Sequence, residues 1–216
     1  MKTTTCNCGA EIEYEPIEGF LNLKPTVCDK CAIEAGNKAQ KNILVQRNEK
    51  FLTICPPLYR DTKPEMISTP KKDIVLQWEY QPRGLLLYGE PRTFKTRLAW
   101  LVVKNLVLEG RTVEAMTSGE FALQSAENAG SEGRQWFHRL AKADVLFIDD
   151  FGKSKMTERV EADLFDVLEV RAANLKPCII TTNFGKDLEA KLTADRGPAI
   201  IARLREFCHP IHLKKA

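Results

Sequence analysis

The sequence predicts an α/β fold built on a parallel sheet. Over residues 84–216, short apolar runs alternate with longer amphipathic stretches, the pattern of βαβ units. The longest runs, at residues 85–88 and 145–148, have the length of buried strands. After them, Val160, Leu164, Val167, Leu168 and Arg171 recur at spacings of three and four, which marks one face of a helix.

Strands are expected at residues 85–88, 112–116, 145–149, 178–182 and 210–213. Helices are expected near residues 96–109, 119–128, 133–141, 158–174 and 199–207. Upstream, residues 37–83 read as a helical connector. A helix around residues 37–52 is stopped by Pro56-Pro57, because proline lacks the N–H that helix propagation needs. Residues 59–64 are turn-rich. Residues 1–36 are short on periodic apolar residues and hold four of the seven cysteines. The expected organisation is therefore a metal-binding region (1–36), a connector (37–83) and an α/β domain (84–216).

Composition excludes several classes. Of the 216 residues, 44% are hydrophobic and 28% charged, which suits a globular protein. No apolar run approaches the ~20 residues that cross a bilayer, so no membrane partner is expected. The first residues lack the apolar core of a secretory signal, and the expected location is the cytoplasm. A net charge of +3 is compatible with nucleic acid without demanding it.

Gly89-Glu90-Pro91-Arg92-Thr93-Phe94-Lys95-Thr96 follows a predicted strand and opens a predicted helix. It resembles the Walker A pattern, with Phe94 where the second glycine stands. The chemistry needs backbone N–H groups curled around a phosphate at a helix N-terminus, a lysine reaching the β- and γ-phosphates, and a hydroxyl on Mg²⁺. Lys95 and Thr96 fill the last two roles. Phe94 puts a bulky side chain where glycine lets the backbone approach freely.

Val145-Leu146-Phe147-Ile148-Asp149-Asp150 is an apolar run ending in two carboxylates, as in a Walker B strand. Adjacent carboxylates repel, and a nearby cation explains them better than chance does. Asp149 is the candidate Mg²⁺ ligand with Thr96, and Asp150 the group that orients or deprotonates an attacking water. A third apolar run, Cys178-Ile179-Ile180-Thr181-Thr182, ends in Asn183. Arg196, Arg203 and Arg205 form a basic run near the C-terminus.

In their order and spacing these residues resemble AAA+ proteins, and most specifically the DnaC/DnaI-type helicase loaders and the related IstB-type transposition ATPases. The resemblance covers residues 51–213. Its most specific parts are Asp149-Asp150-Phe151-Gly152, Thr181-Thr182-Asn183-Phe184 and the connector Cys55-Pro56-Pro57-Leu58-Tyr59-Arg60-Asp61. It implies a sheet of order 5-1-4-3-2 with ATP and Mg²⁺ at the carboxyl ends of the strands. It also implies contact of Asn183 with the γ-phosphate or the lytic water. Arg203 would reach the γ-phosphate of a neighbouring copy, so the active form would be a homo-oligomer. The implied partners are a replicative DNA helicase and single-stranded DNA; the alternative is a transposition accessory ATPase. The implied reaction is ATP hydrolysis to ADP and phosphate, and Phe94 leaves open a nucleotide-binding adaptor that does not hydrolyse. Because the sequence stops at Ala216, just after the last predicted strand, the resemblance leads us to expect a form without the helical lid and sensor-2 arginine, like that of phage and mobile-element accessory proteins.

Cys6, Cys8, Cys28 and Cys31 form two pairs about twenty residues apart. Four thiolates make a closed structural Zn²⁺ site, and Gly9 suits the tight turn of a zinc knuckle. A set of incidental thiols is the alternative. In the resembling loaders this region contacts the helicase, while zinc ribbons also bind nucleic acid; Phe20, Lys24 and Lys30 are candidates for either role. Trp78, Trp100 and Trp136 are expected in the core, Cys55, Cys178 and Cys208 as buried or idle thiols, and His138, His209 and His212 as packing or surface groups.

Overall fold

In a computed structural model, residues 1–15, 24–127 and 131–215 are described. The chain divides into two compact units, Met1–Glu49 and Lys50–Ala216. Phe20 and the predicted end of the second helix at Asn128 lie outside the described residues. No helix among them is long and apolar enough to cross a membrane.

The first unit opens with an antiparallel pair, β1 (Lys2–Thr5) and β2 (Glu11–Tyr14). Helix α1 (Asp29–Ile54) begins one residue after Cys28 and runs on into the second unit. It starts eight residues before the predicted helix at 37–52. Asp29 in the first turn complements the helix dipole and lets Cys31 join the helix rather than a loop.

The second unit continues with two short helices, α2 (Pro57–Arg60) and α3 (Lys72–Leu76). Pro57 sits at the start of α2, where its missing N–H costs nothing. The α/β alternation follows: β3 (Gly84–Tyr88), α4 (Lys95–Glu109), β4 (Val113–Thr117), α5 (Ser118–Glu127), α6 (Ser131–Lys142), β5 (Val145–Asp149), α7 (Glu158–Ala173), β6 (Cys178–Thr182), α8 (Gly197–Phe207) and β7 (Cys208–His212). Strands β3 to β7 form one parallel sheet in the order β4-β5-β6-β3-β7. Counting those strands alone, the order is the expected 5-1-4-3-2. The last strand begins two residues before the predicted 210–213. Pro210 fits within it because β7 is an edge strand, bonded only to β3.

Alternate residues of each strand feed opposite faces of the sheet. Val145 and Phe147 pack with α4, Trp100 and Phe51; Leu146 and Ile148 pack with residues of α5 to α8. Burial on both faces explains why the strands read as continuous apolar runs. Trp100 and Trp136 are buried and Trp78 is half-buried, while Cys55, Cys178 and Cys208 are buried thiols.

One member of the α7 face is charged. Arg171 is 1% exposed, and its guanidinium donates to the carbonyls of Leu140, Ala143, Asp144 and Pro177 at 2.6, 2.9, 3.1 and 2.7 Å. It thereby joins the end of α6 to the starts of β5 and β6. Replacing it leaves four carbonyls without their donor. We expect Arg171→Met to cost at least about 3 kcal/mol and lower Tm by roughly 6 °C or more. A circular dichroism melt checks this; a Tm within about 2 °C of wild type would remove Arg171 as the staple of this corner.

Candidate functional site

The turn from β3 to α4 is tight. Gly89 has φ +146, and a Cβ there would lie 2.1 Å from the Leu213 carbonyl oxygen, so only glycine passes. Arg92 and Phe94 follow with φ of 66 and 64. Phe94 therefore stands at a position whose left-handed backbone accounts for the glycine usually found there. Its ring, half-buried, packs against the cluster that contains Trp100 and Phe51.

Lys95 lies inside this loop, 5% exposed. Its ammonium donates to the carbonyls of Gly89 at 2.9 Å and Glu90 at 2.7 Å, and to Thr93 Oγ1 at 3.2 Å. All three N–H donors are thus held by the loop itself. Burial pushes its pKa down, and the nearby Asp150 and Asp149 oppose that shift.

Asp149, at the end of β5, gathers hydroxyls from two other elements. Thr96 Oγ1 in α4 donates to Asp149 Oδ1 at 2.8 Å, and Thr181 Oγ1 in β6 donates to the same oxygen. Burial raises the Asp149 pKa, while these two donors pull it down. Thr96 and Asp149 could hold one Mg²⁺ between them, both offering the oxygen ligands that this ion takes. Asp150 takes a left-handed backbone, φ 54; its N–H donates to Thr181 Oγ1 at 2.9 Å and its carbonyl accepts from Ser118 Oγ at 2.8 Å. Its side chain pairs with Lys153 at 2.9 Å.

A cavity of about 450 Å³ is lined by Pro91 to Arg97, Asp150, Lys153 and Asn183. The structure thus brings together the glycine-loop residues, the end of the β5 strand and Asn183. Gly89 and Glu90 form the loop that holds Lys95. Arg203 is elsewhere: on α8 it pairs with Glu169 of α7 and with Glu206 at 2.9 Å. Sequence reading passed over Thr181, Ser118, Arg97 and Lys153. The threonine pair at the end of an apolar strand was a signal for Thr181; nothing in the sequence singled out Ser118, which comes from β4–α5 and meets Asp150 only in the fold.

In the first unit, the sulfurs of Cys6, Cys8, Cys28 and Cys31 all lie within 4.8 Å of one another. Tetrahedral zinc with ~2.3 Å bonds places its sulfurs about 3.8 Å apart, and Cys8 and Cys28 approach to 3.6 Å. The turn at Gly9, φ +88, is closed by Gly9 N–H to the Cys6 carbonyl at 2.9 Å and Cys6 N–H to the Ala10 carbonyl at 2.8 Å. These four thiols could hold one zinc ion.

The profile of the IstB-like ATP-binding proteins matches residues 71–216. The chain belongs to the IstB-like ATP-binding protein family. Among curated relatives, YdaV, an uncharacterized protein of Escherichia coli, is 26% identical over 110 residues, 50% of this chain and 44% of YdaV. A putative ATP-binding protein in an insertion sequence of Mycobacterium tuberculosis is 28% identical over 111 residues, 50% of this chain and 43% of that one. The match thus spans less than half the length of each relative. Among solved structures, the DnaC helicase loader superposes with a TM-score of 0.60 at 19% identity, covering 74% of this chain and all of that one. The fold is shared with that helicase loader, and the family description names ATP as the bound molecule.

Two outcomes are expected. Because its pKa is raised, Asp149 destabilises the nucleotide-free fold where it is charged, and the penalty disappears as pH falls through that pKa. Asp149→Asn should therefore raise Tm at pH 7 by a margin that shrinks in acid, read from melts across pH. A margin that grows in acid would contradict this sign. For the thiols, elemental analysis should find about one zinc per chain, and less than about half of that in Cys28→Ser/Cys31→Ser.

Proposed function

We propose that this chain is an ATPase that serves DNA replication as a helicase loader, coupling ATP binding and hydrolysis to a replicative helicase and single-stranded DNA. One observation carries the catalytic part: Lys95, Thr96, Asp150 and Asn183 line a single cavity, and Thr96 is bonded to Asp149 behind it. ATP would enter with its phosphates along the loop from Gly89 to Thr96. Lys95 would exchange its loop carbonyls for phosphate oxygens, which are stronger acceptors for an ammonium. Mg²⁺ beside Thr96 and Asp149 would offset charge developing on the transferred phosphoryl group. Asp150 would accept a proton from the attacking water, and Asn183 would orient that water or the γ-phosphate.

Arg203, on the outer face of α8, is proposed to reach the nucleotide of a neighbouring copy in a homo-oligomer. The cysteine cluster is proposed to hold a structural zinc that stabilises a unit too small for a large core. Free thiols and a nucleotide cycle both suit the cytoplasm.

A second reading has its own support. The matched relative from Mycobacterium tuberculosis sits in an insertion sequence, which favours a transposition accessory ATPase with the same core and another partner.

Turnover of ATP should fall at least about a hundredfold in Lys95→Ala and in Asp150→Asn, measured by phosphate release with and without oligothymidylate. Nucleotide binding without turnover in wild type would sink the enzyme and leave the adaptor. Co-purification in ATP with a DnaB-type helicase, against a transposase, separates the two partner readings.

A further inference from the structure

A second cavity adjoins the first. It holds about 380 Å³ between the β5–α7 connection (residues 152–156) and the segment after β6 that carries Phe184 and residues 190–193. Three lysines line it, Lys153, Lys155 and Lys191, and no carboxylate does. All three are exposed. Lys191 is held with its ammonium 4.7 Å from the centre of the Phe184 ring, which orders it without neutralising it. Neither Lys155 nor Lys191 has a carboxylate partner among the described residues.

Lys153 is the exception, and it connects the two cavities. It lines both, and its ammonium sits 2.9 Å from Asp150 Oδ2. While that pair holds, one carboxylate oxygen of the proposed base is engaged by a cation. We propose that the second cavity binds the phosphodiester backbone of a nucleic-acid strand, and that Lys153 is a positioning residue which leaves Asp150 for that phosphate and so frees the base. The inference rests on Asp150 as the base proposed above.

The occupant follows from charge. Two clustered cations without a carboxylate partner, beside a third whose ion pair is exposed, attract a polyanion, and the chain as a whole carries +3. All three are lysines, compact point charges of the kind that also hold phosphate. An exchange is cheap, because an ion pair this exposed contributes little. A phosphate beside Lys155 and Lys191 offers Lys153 an anion shared with two further cations.

The test uses the full chain and labelled oligothymidylate, followed by fluorescence anisotropy, with phosphate release read in parallel. Lys155→Glu/Lys191→Glu should weaken oligonucleotide binding at least tenfold and lower the slope of log affinity against log salt by about 1 to 1.5. A melt unchanged from wild type establishes that the variant is folded. Lys153→Met should hydrolyse ATP faster than wild type without DNA and gain little on adding it, whereas wild type should be stimulated at least threefold. Affinity within twofold of wild type in the charge-reversed variant would overturn the site. Stimulation of Lys153→Met equal to that of wild type would overturn the relay. Displacement of the oligonucleotide by polyglutamate at equal charge would assign the cavity to an acidic protein segment and also overturn the proposal. If wild type takes up no fluorescent ATP analogue, the fault lies in the ATPase reading instead.

Discussion

One carboxylate oxygen holds the site together. Asp149 Oδ1 accepts hydroxyls from Thr96 in the first turn of α4 and from Thr181 at the end of β6. Thr181 Oγ1 in turn accepts the Asp150 N–H. Three elements that meet nowhere in sequence are therefore tied at the carboxyl edge of the sheet. The oxygen is half withdrawn from water, which penalises its charge, and the hydroxyls only partly offset the penalty. Such an anion gains from a cation, and the geometry that follows from this need positions everything else. Thr96 fixes where α4 begins, hence where the loop must close. Thr181 fixes Asp150, whose side chain then faces the cavity.

Backbone strain gathers at the same place. Four described non-glycine residues have positive φ, Arg92, Phe94, Asp150 and Leu175, and the first three line the nucleotide cavity. A left-handed backbone costs a bulky residue about 1–2 kcal/mol. Strain of this kind persists where surrounding contacts over-determine it. At Phe94 the contacts are the aromatic cluster beneath the loop; at Asp150 they are the bonds from Asp150 to Thr181 and Ser118. The phenylalanine thus offsets with packing what glycine would have avoided by lacking a side chain. It leaves the loop shape intact, as the inward placement of Lys95 requires.

Much of this was legible in the sequence because it depends on local pattern. A sheet buried on both faces writes itself as apolar runs, so the strands were found to within two residues. The glycine loop, the two aspartates and Asn183 each mark the end of a run, and a parallel sheet necessarily brings those ends to one edge. The rest depends on tertiary encounters. In the hairpin β1–β2 only the second strand alternates, with Ile12 and Tyr14 half-buried on one face, and four residues are too short a run to mark a strand. Lys153 reads as one more surface lysine until the turn at Gly152 carries it back to Asp150. Arg171 was counted as part of an apolar face, and it does lie there, because four carbonyls replace the water it gave up.

Arg203 shows how a charged residue can be held and remain available. In the single chain it is bound by Glu169 and Glu206, with about a third of its side chain exposed. Those carboxylates orient the guanidinium along the outer face of α8, so little rotamer freedom is left to lose on meeting another anion. Pairs this exposed are screened by water and salt and contribute little. In the homo-oligomer proposed above, a triphosphate presented by a neighbouring copy would carry more charge than either carboxylate and would exclude water around it as the surfaces closed. The exchange then favours the phosphate only when a second subunit brings one, which would make the arginine's release depend on assembly rather than on nucleotide in its own subunit.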